Sequence, residues 1–249
     1  MFRLLKLKPP NGWNAVAWEL TIVTLGVMIA LAAQQWAEAR TWRGKVEATK
    51  SALRDELAEH YIYAVEFRAV YPCLQAQLQR LRKRVLSSGE TLNPAPTYKE
   101  PDDDFVLRLP AKFYPTDAWE EAINDGIVQR FEAATRRQFA GHYASLARLR
   151  NLDSANKETE LALMALAHPL LLDSSARYSI VREIELLSGR LQYLDLMNGQ
   201  VIDYIQHIGM VPPAEDARKL TQRFGTYKFC KAQRLPMRSF KDAMQAVPT

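Results

Sequence analysis

Between Ala15 and Ala33 the only polar side chains are Glu19, Thr21 and Thr24, and Leu20 to Ala33 carries no charge. Trp18 and Trp36 bracket this stretch, about 27 Å apart at 1.5 Å of rise per residue, close to the thickness of a hydrocarbon core. The pattern predicts a transmembrane helix over residues 15–36. Further on, apolar positions recur at alternating steps of three and four: Val46, Leu53, Leu57, Ala64, Phe67, Tyr71, Leu74, Leu78, Leu81 and Val85, with Lys50 and His60 in two of the slots. That period predicts one long amphipathic helix ending at Ser87-Ser88-Gly89. Pro72 lies inside it and is expected to kink or briefly break it without shifting the stripe. A second stripe runs Ile180, Ile184, Leu187, Leu191, Leu194, Asn198, Val201, Ile205, Ile208, with Asp173 or Ser174 as its cap and Pro212-Pro213 as its stop. Two such stripes are natural partners in one antiparallel bundle; a homodimeric coiled coil is the other use of the same pattern.

The region between the stripes is less regular. Residues 90–115 hold five prolines around Asp102-Asp103-Asp104, which predicts an extended surface loop. The acidic triplet lacks the spacing of a calcium loop. Asp117 with Glu120 reads as a helix start, Trp119 and Ile123 as its inner side, and Gly126 as its stop. Another helix is expected from about Ile127 to Leu149, interrupted at Asn151 to Ala155 and resumed from Glu158 to Ala167 before Pro169. No β-branched alternation marks a sheet. The expected architecture is all-α: a basic tail (1–14), one N-terminal transmembrane helix, an antiparallel helical-bundle domain (37–210) with one Pro-rich loop (90–115), and a basic C-terminal tail (211–249). At 249 residues the chain has room for the anchor and one domain of ordinary size.

Charge sharpens this picture through its placement. The net charge is +5, with Arg3, Lys6 and Lys8 unaccompanied by acids at one end. Near the other end Arg218, Lys219, Arg223, Lys228, Lys231, Arg234, Arg238 and Lys241 follow one another with no acid between them. Basic ends on an anchored chain suit an anionic lipid surface, at about 1 kcal/mol per charge, or a partner; a merely solvated tail is the plainer reading. No recognition motif points to nucleic acid.

Candidate chemistry is sparse. Cys73 and Cys230 make one disulfide if the domain is exported, or remain two buried thiols if it is not. His60 and Asn198, in stripe slots, read as satisfied core residues, with Asn198 able to fix register. His142, His168 and His207 have no paired spacing for a metal. Phosphate-binding glycine loops, HExxH and GxSxG are all missing from the sequence, so neither an enzyme nor a cofactor is expected, and no small-molecule substrate is evident.

The span itself offers a face. Glu19, Val23, Gly26, Ala30 and Ala33 fall on one side of the helix, where the small residues allow another helix to approach closely. Glu19 on that side favours a helix partner over lipid, either another membrane protein or another copy of this chain. Trp13, Trp18 and Trp36 are the expected interfacial anchors. Ala30-Leu31-Ala32 imitates a cleavage site, but Glu19 and the helical run through Gln34-Gln35 favour an uncleaved anchor. Three basic residues precede the span, and Arg40, Arg43, Lys45 and Lys50 follow it. The purely basic amino tail places the N-terminus in the cytoplasm and the domain in the periplasm.

The segment Trp18-Glu19-Leu20 through Gly26-Val27, continuing to Ala30-Leu31-Ala32-Ala33-Gln34-Gln35-Trp36, resembles the start of an uncharacterised family of bacterial single-span inner-membrane proteins. Thr116-Asp117-Ala118-Trp119-Glu120 to Gly126 resembles a second block of that family. The two blocks cover about a fifth of the chain. The resemblance implies a helical soluble domain at the bacterial inner membrane and carries over no catalytic residue. The expected function is an accessory or scaffold subunit acting through interaction. The alternative is a periplasmic ligand-sensing domain that reports through a partner.

Overall fold

The computed structural model describes residues 12–99, 104–111 and 113–247. The amino-terminal tail with Arg3, Lys6 and Lys8, and Asp102 and Asp103 of the acidic triplet, lie outside the described residues, as does the Trp13 side chain. Seven α-helices dominate the described residues, with four strands of two residues each. The chain divides into two units, residues 1–50 and 51–249. Helix α1 (Gly12–Ser87) contributes to both.

In the first unit α1 is a bare apolar helix. Trp18, Leu20, Val23, Leu25, Ile29 and Trp36 are all more than half exposed. Among the described residues it is the one helix long and apolar enough to cross a membrane. The hydroxyls of Thr21 and Thr24 donate to Ala17 O and Leu20 O at 2.8 and 2.7 Å. These back-bonds pair both hydroxyl protons with the helix's own backbone.

In the second unit α1 becomes a core helix. Leu53, Leu57, Ala64, Leu74, Leu78 and Val85 are buried, and around Tyr61 to Val70 the burial extends to nearly every side. Helix α4 (Ser174–His207) begins where Asp173 accepts Ala176 N–H at 2.7 Å, and buries Ile184, Leu187, Leu191, Leu194 and Ile202. Its contacts with α1 run in opposite order along the two helices. Arg177 donates to Val85 O, Ser188 donates to Gln75 Oε1 at 2.7 Å, and Asp195 lies 3.9 Å from Arg68. Helix α3 (Ala133–Leu163) packs along α4, where Arg190 donates to Ala155 O and Thr159 Oγ1 at 3.0 and 2.9 Å.

Several expectations change here. The helix expected from Ile127 opens instead with a 3-10 turn, Ile127–Arg130, and α3 then runs through Asn151 to Ala155 without a break. No glycine or proline lies in that stretch, so polarity alone does not end the helix. Pro72 does not break α1 either. It removes one backbone bond, and in the same turn Ala69 O accepts Arg238 N–H at 2.9 Å from the C-terminal segment. Residues 90–115 are not purely a surface loop: Leu92, Ala95, Phe105, Val106, Leu107 and Tyr114 are buried. Strand β1 (Thr91–Leu92) pairs antiparallel with β4 (Leu170–Leu171), and β2 (Tyr98–Lys99) with β3 (Asp104–Phe105). Two-residue strands are too short to leave an alternation in the sequence.

The basic C-terminal segment is folded. It forms α5 (Ala214–Thr221), α6 (Gly225–Ala232) and α7 (Phe240–Ala243). Cys230 on α6 is disulfide-bonded to Cys73 on α1. Arg238 grips Asp195 of α4 with two bonds of 2.8 and 3.0 Å, and Arg68 Nη1 donates to Gln245 O at 2.7 Å. Gly199 lets the chain end come close: a Cβ there would lie 2.5 Å from both Arg68 Nη1 and a Val247 methyl. The segment therefore ends as a clasp over α1 and α4.

Candidate functional site

The second unit carries a buried polar seam between α1 and α3, built on residues that the apolar stripes pass over. Glu56 of α1 is 7% exposed. It accepts the Tyr143 hydroxyl on one oxygen and Ala118 N–H at 2.8 Å on the other. Ala118 lies in the first turn of α2 (Asp117–Asn124), whose N-cap Thr116 makes no side-chain cap bond of its own, so Glu56 supplies the cap from a distance. Trp119 stacks on Tyr143 with ring centres 5.1 Å apart, closing the seam. Burial, and then the bond to Glu56, push the Tyr143 hydroxyl far above the usual tyrosine range.

One helical turn along α1, His60 is fully buried and meets His142 of α3, Nδ1 to Nε2, at 3.0 Å. Its Nε2 is 2.7 Å from Pro115 O. A carbonyl only accepts, so His60 carries its proton on Nε2, and Nδ1 is left to accept the proton of His142 Nε2. Two neutral imidazoles satisfy this arrangement, whereas two charged ones would present proton against proton. Desolvation brings His60 down to about 4. Desolvation, with the neighbouring His60, brings His142 to about 3. Tyr204 of α4 stacks on His142 at 4.5 Å. Tyr114 donates to Asn198 Oδ1, and Asn198 Nδ2 donates to Leu194 O at 2.8 Å.

Beyond Tyr114 the surface opens into a cleft of about 520 Å³ between α1, α3, α4, residues 108–111 and Phe113. Its floor is apolar, formed by Phe67, Leu109 and Leu191. Its lips are Phe113 and Leu161, 78% and 60% exposed. The polar side of the cleft is one run of α3: Asp153, Asn156, Lys157, Glu158 and Glu160, facing Arg108. Lys157 pairs with Glu160 at 3.2 Å. Burial raises the Asp153 carboxyl to about 6.

The structure places the sequence-derived candidates elsewhere. Glu19, Val23, Gly26, Ala30 and Ala33 are exposed along one face of α1 in the first unit, as are Trp18 and Trp36. Arg40 and Lys45 lie over Trp36 and Trp42 at 5.7 and 5.1 Å, just past the apolar stretch. In the C-terminal segment Arg238 is committed to Asp195, while Arg218 and Lys219 pair with Glu215 at 2.8 and 3.7 Å. Arg223, Lys228, Lys231 and Arg234 remain exposed. The seam and the cleft were not found from sequence, because their members are dispersed over four segments and only His60 and Asn198 stand out by interrupting a stripe.

No family model, no curated protein and no solved structure matches this chain.

Proposed function

We propose that this chain is a single-pass membrane-anchored interaction protein, an accessory or scaffold subunit of a bacterial inner-membrane complex with no catalytic activity of its own. The observation that carries the reading is the exposed apolar length of α1, from Val16 to Trp36, whose hydroxyls are already bonded to its own backbone. A run of large apolar side chains that exposed needs a lipid or protein environment. Within it, the Glu19, Gly26 and Ala30 face is the docking side, toward another membrane protein or a second copy. The kinship with single-span inner-membrane proteins belongs to this proposal.

The proposed topology puts the N-terminus in the cytoplasm and the helical domain, an antiparallel bundle, in the periplasm. The Cys73–Cys230 bond supports that side, since such bonds persist in oxidising compartments. Arg223, Lys228, Lys231 and Arg234 are exposed cations suited to an anionic lipid surface or an acidic partner.

The test is fractionation of cells with alkylation of thiols at the moment of lysis. The proposal requires that the chain stay in the membrane through alkaline carbonate and that both cysteines resist alkylation until reductant is added. Release by carbonate, or two freely alkylated thiols, rejects it. A second reading, a sensing domain acting through a partner, is favoured by the cleft on α3 alone.

A further inference from the structure

Just past its apolar stretch α1 continues without a break, and the turns that follow carry cations that the Glu19–Gly26–Ala30 face leaves unused. Trp36, Arg40 and Arg43 stand at i, i+4 and i+7, so they share one side of the helix. All three are exposed. In a helix each Cα–Cβ bond leans toward the N-terminus, which for residues that follow a span is toward the membrane. Arg40 shows that lean, with its guanidinium over the Trp36 ring, 5.7 Å from the ring centre. At 1.5 Å of rise per residue, Arg40 stands about 6 Å beyond Trp36 and Arg43 about 10 Å. The headgroup layer on one side of a bilayer is about 5–8 Å thick, so long side chains that lean back bring both guanidiniums to the level of the lipid phosphates.

The acids nearby are engaged elsewhere. Glu47, on the same side, pairs with Lys50 at 3.0 Å, and Glu38, on the opposite side, accepts Gln34 Nε2–H at 3.1 Å. Among the described residues neither Arg40 nor Arg43 is paired with a carboxylate. On the same side as Trp36, deeper in the span, Ile29, Leu25 and Ile22 are more than half exposed. That side lies about 80° around the helix from the Glu19–Gly26–Ala30 face, so the two share no residues.

We propose that Arg40 and Arg43, beside Trp36, bind an anionic phospholipid, its phosphodiester held by the two guanidiniums and its acyl chains lying along Ile29, Leu25 and Ile22. A guanidinium fork matches phosphate oxygens through two parallel donors, and two forks one turn apart concentrate charge where a headgroup sits. A zwitterionic lipid presents the same phosphate with an ammonium beside it, which the arginines repel; a lipid of net negative charge does not. The site rests on α1 being embedded in the bilayer, as proposed above, and names one component of its surroundings there.

The experiment uses the full chain reconstituted in phosphatidylcholine vesicles. Spin-labelled phosphatidylglycerol and phosphatidylcholine are compared by electron paramagnetic resonance, which reads the fraction of each lipid held against the helix. Phosphatidylglycerol is expected to be preferred about fivefold, the effect of one well-placed surface charge, and the preference to fall below about twofold in Arg40→Gln/Arg43→Gln. Gln is a good helix former and both positions are exposed, so the variant keeps the helix. Release of the chain from the vesicles by alkaline carbonate refutes the anchoring and the lipid site together. An embedded chain with no preference for phosphatidylglycerol, or one whose preference survives Arg40→Gln/Arg43→Gln, overturns the lipid site alone.

Discussion

The facing imidazoles of His60 and His142 make the second unit acid-labile by an amount that follows from their burial. Both are neutral when folded, with His60 lowered to about 4 and His142 to about 3, against an ordinary value of 6.5. The unfolded chain therefore binds protons that the folded one refuses. Their stabilising contribution is complete above pH 6.5 and is lost as pH falls below it, until the folded groups themselves take up protons near 4 and 3. At pH 5 each histidine is almost fully protonated when unfolded and almost fully neutral when folded. The cost is about 2 kcal/mol for each, or about 4 kcal/mol for the pair relative to pH 8. That is a large share of the 5–15 kcal/mol typical of a folded domain. The assay is urea unfolding of the chain in maltoside at pH 8, 6.5 and 5, followed by near-ultraviolet circular dichroism. Carboxylates also titrate in this range, so the same series is run on His60→Gln combined with His142→Phe, and the two pH dependences are subtracted. The expected difference between pH 8 and 5 is about 4 kcal/mol, with the double variant the flatter. A difference below about 1 kcal/mol would refute a buried, neutral pair.

Replacing both Cys73 and Cys230 with Ala opens a loop spanning 157 residues; chain-entropy arguments put the loss at about 5 kcal/mol, measurable as a lower urea midpoint. Asp153→Asn is expected to stabilise the unit by up to about 3 kcal/mol at pH 7.5, because the raised carboxyl costs stability progressively as pH rises from about 4 to about 6; the gain vanishes near pH 4, and a thermal-shift series at both pH values checks it. Gly199→Ala drives a methyl against Arg68 and Val247, and is expected to cost about 1–3 kcal/mol and to speed proteolysis within residues 235–247.

Much of the helical framework was legible because it is written in period. The stripe from Leu53 to Val85 and that from Ile184 to Ile205 are each buried along almost their whole length. The start of α2 at Asp117 and the turn at Gly126, where φ is +69°, were legible from capping chemistry. Tertiary partners were not. Cys73 and Cys230 look the same in sequence whether paired or free, and nothing near Arg238 tells that Asp195 will absorb its charge. A run of basic residues reads as a tail until the bond from Arg238 N–H to Ala69 O and the space over Gly199 are known. His142 shows no spacing relation to His60, 82 residues away, so the seam could not be found from one sequence. Asp153 lies within the break expected at Asn151 to Ala155, yet α3 continues through that stretch and brings Asp153 to the cleft.

The central claim is that the exposed face of α1 docks on a membrane partner. It is tested most directly by the mass of the particle that mild detergent extracts from native membranes. A tagged chain of 28.4 kDa is expected to migrate in a much heavier complex, corrected for bound detergent, and Gly26→Leu is expected to reduce that mass by blocking close helix approach. A monomer of unchanged mass in both the native chain and the variant would contradict it.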